Sequence, residues 1–215
     1  MTRKHVQDKP DSAAIKPLPL RKSPGKVKKA KIITETYLHN AGLYYLQRFA
    51  ASTAQFRRVM IRKIEASCRI HPEQDKSSCL QMLEDMIEKF QRSGLLNDDL
   101  YALGAIRSLR LRGLSAQAIS ARMAAKGISG AITKNILDEV DSQTAGNADI
   151  IAAIRHACRR RIGPFSAYPL TAETGRPPQK ALANMARAGF DYETAKQVLE
   201  MDRSEAMALI ESSGL

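Results

Sequence analysis

From Thr34 onward the apolar residues of this chain recur every three or four positions, and the breaks between them carry helix-capping residues. Thr34 predicts the start of a helix bearing Leu38, Leu43, Tyr45 and Leu46. Ser52, with Gln55 three residues on, forms a capping-box pattern before Phe56, Val59, Met60 and Ile64, which predicts a short second helix. After a loop around Pro72, Leu80, Leu83, Ile87 and Phe90 fall on one face of a third helix over 76–93, stopped by Gly94. Asn97 and Asp98 then cap a helix with Leu103, Ile106 and Leu109 along one side, ended by Gly113. Ser115 caps a short helix carrying Ile119 and Met123 and ended by Gly127, and Ser129 opens another with Ile132, Ile136, Leu137 and Val140. Alternating runs of Val, Ile and Thr are absent, so the pattern predicts an all-α protein.

The pattern also repeats. A shift of 62 places Gly113 on Gly175, Met123 on Met185, Gly127 on Gly189 and Leu137 on Leu199. A shift back by 63 places Ser115 on Ser52, Ile119 on Phe56 and Met123 on Met60. The first helix of the last group, in "NADIIAAIRHACRRRI", matches "ALGAIRSLRLRG" at a shift of 48, which leaves 14 extra residues as a loop insertion. The expected organisation is a tail over 1–33 followed by three tandem three-helix repeats at 34–96, 97–144 and 145–201. The insertion falls at about 162–175, and a short helix or tail covers 202–215. A unit this small cannot bury its own apolar faces, so the repeats are expected to stack into an elongated, curved array.

Charge sharpens this division. Of the formal net charge of +12, ten basic residues against Asp8 and Asp11 place +8 between Met1 and Lys31, which leaves +4 for the rest. The prolines and lysines of that segment predict a disordered basic tail with weak, sequence-blind attraction to polyanions. No apolar run is long enough to span a bilayer, and the expected location is the cytoplasm, without a membrane partner. Cys68, Cys79 and Cys158 read as reduced structural thiols. Cys68, His71 and Cys79 come closest to a metal pattern but lack a fourth ligand, so neither metal nor cofactor is expected. No Gly-rich phosphate loop and no catalytic Ser, His and Asp set is present, which argues against an enzyme.

The candidate contact residues are arginines and one lysine. Arg107, Arg110 and Arg112 end one first helix and Arg159, Arg160 and Arg161 end the next, with Arg155 a turn earlier. Three arginines together exceed what a helix C-terminus needs in compensating charge. They are expected to project outward, so that losing Arg110 and Arg112 leaves the fold intact. Arg122 and Lys126 lie on the polar face of the helix opened by Ser115. That helix also resembles the second helix of a helix-turn-helix, which makes a DNA-binding repressor the rival reading, although its base-reading side chains are few.

The segment "LNDDLYALGAIRSLRLRGLSAQAISARMAAKGIS" resembles the central repeat of the RecX regulators of the RecA recombinase, through Asp98, Asp99, Tyr101, Ala102, Arg107, Gly113, Ile119, Lys126, Gly127 and Ile128. "YYLQRFAASTAQFRRVMIRK" and "KALANMARAGFDYETAKQVL" resemble that family's first and last repeats. The chain departs from the pattern in having Ile64 where a glycine usually closes the second helix. The resemblance implies a monomeric regulator that lies along the RecA filament on DNA, blocks its growth and so limits ATP hydrolysis and strand exchange, with DNA itself a weak, non-specific partner.

Overall fold

The computed structural model describes residues 30–144, 146–167 and 178–213, and these are all-helical, with no strand among them. Ten α-helices follow in order: α1 (Glu35–Leu46), α2 (Thr53–Ile70), α3 (Lys76–Arg92), α4 (Asp98–Leu111), α5 (Ala116–Ala125), α6 (Gly130–Asp141), α7 (Ala148–Arg160), α8 (Gln179–Arg187), α9 (Tyr192–Glu200) and α10 (Arg203–Ser212). The caps read from the sequence form as hydrogen bonds. Thr34, Ser52, Asn97, Ser115 and Ser129 each accept the N–H three residues on, at 2.9–3.2 Å. The capping box at Ser52 closes on one side only. The Gln55 side chain turns away, donating to the Tyr45 hydroxyl and accepting from Lys126 Nζ.

Two boundaries differ from the sequence reading. α2 is long, because Ile64, at the repeat position of Gly127, is fully buried and carries the helix on to Ile70. Ordered chain also begins before Thr34. Ile33 is buried in the first core, its backbone N–H and C=O both bonded to the Gln74 side chain, while Ser67 donates to Lys31 O at 2.7 Å. Residues 1–29 and 168–177, and with them most of the expected tail and insertion, lie outside the described residues.

Burial gathers into three clusters, one over α1–α3, one over α4–α6 and one over α7–α10. Within each, the third helix (α3, α6, α9) packs against both of the others, which barely touch one another. Met60, Met123 and Met185 sit near the centre of the three clusters, each contributing about 1.5–3 kcal/mol of burial. The C-terminal helix α10 belongs to the last cluster, with Ala206 fully buried and Leu209 and Ile210 packed against it.

The clusters meet through a joint that occurs twice. The Ser52 hydroxyl, which caps α2, also donates to the Lys126 carbonyl at the end of α5, at 2.5 Å. Ser115, which caps α5, likewise donates to the Ala188 carbonyl at the end of α8, at 2.8 Å. A carboxylate completes each joint from the next group's first helix: Asp98 accepts the Thr53 N–H at 2.8 Å and Asp149 accepts the Ala116 N–H at 3.0 Å. α2, α5 and α8 therefore meet end to end, the negative end of one dipole on the positive end of the next. Glycine makes the approach possible. A side chain at Gly127 (φ +79°) would put Cβ 2.3 Å from that of Ala54, and one at Gly189 (φ +85°) would put it 2.6 Å from Ser115 Oγ. At the far end α8 opens after Pro178 with no side-chain cap.

Candidate nucleic-acid and filament interface

Beside the joint between α5 and α8 lies a groove of about 830 Å³. α5 contributes Arg122, the last turn of α7 contributes Arg159 and Arg160, α8 contributes Arg187, and Arg112 enters from the C-cap of α4. All five arginines are exposed, and no lining residue is acidic. Gly113, Leu114, Ala118 and Ala188 also line it, with His156 and Asn184 supplying its remaining polar surface. Close approach is again built on glycine. Gly113 has φ +69°, and a Cβ there would sit 2.8 Å from backbone atoms of Ala152 and His156. Arg159 is tied down by donating to the Arg112 carbonyl. Such a concentration of forked donors in one concavity suits phosphate or carboxylate groups, which accept two parallel bonds from each guanidinium.

His156 forms the buried wall of the groove. Its Nε2 lies 2.8 Å from Asn184 Oδ1 and its Nδ1 faces Arg159 Nη2 at 3.4 Å. An acceptor on one side and a donor on the other select the neutral ring with its proton on Nε2. Burial, with Arg159 and Arg160 nearby, holds its pKa below the ordinary 6.5, opposed only by the bond to Asn184. A lowered value in the folded state means that the stability linked to neutral His156 is full above about pH 6.5 and is lost as pH falls below it. Thermal melts between pH 7 and pH 5 are expected to show that loss, and His156→Gln is expected to flatten it.

The nine residues singled out from sequence separate into groups. Arg112, Arg122, Arg159 and Arg160 come together in the groove, and Arg187 joins them from a position the sequence reading passed over. Lys126 lines a second groove at the joint of α2 with α5. Arg107 is exposed and pairs with Glu139 at 3.9 Å, and Arg161 is an exposed left-handed residue ending α7. Arg155 is half-buried and donates to the Ser213 hydroxyl at 3.2 Å.

Arg110 is the correction. It does not project outward: only 3% of its side chain is exposed, and it donates to Asp141 on α6, to Asp149 on α7 at 2.5 Å and to Leu114 O at 3.1 Å. It lies four residues from Ile106, on the buried stripe with Ala102 and Leu109, where a guanidinium must take its counter-ions inside. Its role is to hold the joint behind the groove, and Asp149 serves both Arg110 and the Ala116 N–H there.

Among the described residues no group of three or more His, Cys, Asp or Glu could hold a metal ion, and no helix is long and apolar enough to cross a membrane. No family model and no solved structure matches the chain. A relative from Myxococcus xanthus, the regulatory protein RecX, is 35% identical over 173 residues, covering 80% of this chain and 89% of the relative. On that similarity the chain belongs to the RecX family of regulatory proteins.

Proposed function

We propose that this protein regulates the RecA recombinase by lying along the helical groove of the RecA filament on DNA, where it blocks filament growth and limits ATP hydrolysis and strand exchange. It acts as a cytoplasmic monomer without cofactor or catalysis of its own. Its three clusters serve as three tandem units, at 34–96, 97–144 and 145–201, of an elongated, curved array that follows a long, helical partner. The observation that carries this reading is the groove of five exposed arginines with no acidic lining, at a joint between two such units. Arg112, Arg122, Arg159, Arg160 and Arg187 engage acidic filament surface or DNA phosphate there, and Arg107, Lys126 and Arg161 add weaker, exposed contacts. DNA alone is held weakly and without sequence preference, with help from the basic residues before Lys31.

The rival helix-turn-helix reading needs the N-terminal turn of α5 to face base edges. Ala188 and Gly189 cover that turn instead, with Ser115 bonded to Ala188.

The groove is tested by replacing Arg122, Arg160 and Arg187 together by serine and measuring inhibition of RecA ATP hydrolysis on single-stranded DNA. Surface changes of this kind alter stability by about 0.5 kcal/mol or less each, so the variant is expected to melt as the parent does. Loss of three charge-assisted contacts is expected to raise the half-inhibitory concentration about tenfold or more. Unchanged inhibition by the folded variant would place the contact elsewhere.

A further inference from the structure

The joint of α2 with α5 carries its own groove, of about 960 Å³, at the repeat position of the arginine groove. Gln55 stands where the other has Ala118, Lys126 where it has Ala188, and Val59 and Phe49 where it has Arg122 and Arg112. The substitution changes its chemistry. The floor is apolar and aromatic, while Arg58, Arg62 and Lys126 form an exposed cationic rim, and no lining residue is acidic.

Phe49 is 53% exposed, an unusual state for a large aromatic ring, and it is held in place. The Tyr45 ring lies 5.3 Å away and the Arg48 guanidinium 5.8 Å from its centre, while Arg48 is fixed by donating to the Tyr44 hydroxyl at 2.8 Å. On the opposite wall Arg58 leans across the joint to Ala125 O at 3.3 Å, and Lys126 Nζ is positioned by Gln55. An exposed, braced aromatic platform in one groove with three cationic side chains is complementary to an unstacked base with its flanking phosphates. A duplex keeps its bases stacked and offers only phosphates to the same rim.

We infer that the groove at the α2–α5 joint is a binding site for single-stranded nucleic acid, taking one unpaired base on Phe49 and its flanking phosphates on Arg58, Arg62 and Lys126. Occupation of this site requires no recombinase, so it stands or falls apart from the regulatory reading above.

The test is fluorescence anisotropy of the full-length protein with a labelled oligothymidylate, its abasic counterpart and a duplex of equal length, without RecA. The parent is expected to bind the oligothymidylate about tenfold more tightly than the abasic strand, the difference made by one stacked base. Phe49→Ala is expected to erase that difference and leave duplex binding unchanged, whereas Phe49→Trp retains it and its indole fluorescence is quenched on binding. Arg58→Ser with Arg62→Ser is expected to weaken all three complexes and flatten the log–log salt slope for single strands by about 1.4. Equal binding of the abasic and base-bearing strands by the parent would overturn the inference. So would a Phe49→Ala variant that keeps its oligothymidylate affinity and loses RecA inhibition, since the platform would then face protein.

Discussion

Arg110→Ala is expected to destabilise the protein by about 2–4 kcal/mol, although the change removes a residue type that is usually a surface one. The guanidinium neutralises two carboxylates and satisfies the Leu114 carbonyl, and alanine leaves all three without it. The cost stays below that of a wholly buried pair because the Asp141 and Asp149 side chains keep 25% and 36% of their exposure, so water screens part of the orphaned charge. For a chain of this size the expected fall in melting temperature is about 5–15 °C. Asp149 also accepts the Ala116 N–H, so the loss centres on the joint between α5 and α8. Arg112→Ala, at an exposed position two residues away, is expected to shift stability by about 0.5 kcal/mol or less. Thermal and urea melts of the two variants check the contrast, and equal melts would return Arg110 to the surface set.

Met123→Asp is the second large effect. Met123 is 2% exposed within a cluster that includes Ile119, Ile136 and Val140. A carboxylate there has no cation to meet, and either ionised or protonated it costs about 3–5 kcal/mol, added to the lost packing. The damage is expected to spread along the chain, because an array of small units draws its stability from each unit and from its interfaces with neighbours. Limited proteolysis is expected to open α4–α6 first, and circular dichroism to record a lower, broader transition. Met60→Asp and Met185→Asp are expected to do the same to the first and last clusters. A Met123→Asp variant with parental melting would mean that this repeat position is not a core position.

Most of the fold is legible before any coordinates, for a physical reason. Caps, glycine stops and apolar spacing are local, and Ser52, Ser115, Gly127 and Met123 announce their roles within one or two helical turns. The joints are legible only in part. Ser52 and Ser115 are recognisable as caps, but their second bond reaches a carbonyl more than seventy residues away, and no local pattern encodes that. Arg110 is hidden for the same reason. The spacing from Ala102 and Ile106 places it on the buried stripe, yet burial becomes tolerable only through Asp141 and Asp149, which lie 31 and 39 residues further on. Running the stripe through Leu103 misses it, since Leu103 is only partly buried. Arg187 is not marked out in the sequence because its repeat partner is the uncharged Ala125, whereas other arginines stand in threes at helix ends. In the α2–α5 groove the repeat exchanges arginine for Phe49 and Val59, so a search for basic clusters alone passes over it.

In the function proposed above, a folded array with an arginine groove stops the growth of a RecA filament. The direct measurement is the rate of RecA ATP hydrolysis on single-stranded DNA as this protein is added in amounts well below RecA. Strong inhibition is expected at such amounts, because a filament end needs few molecules to block it. Inhibition that appeared only once the protein had saturated the DNA would contradict it and leave competition for the strand as the explanation.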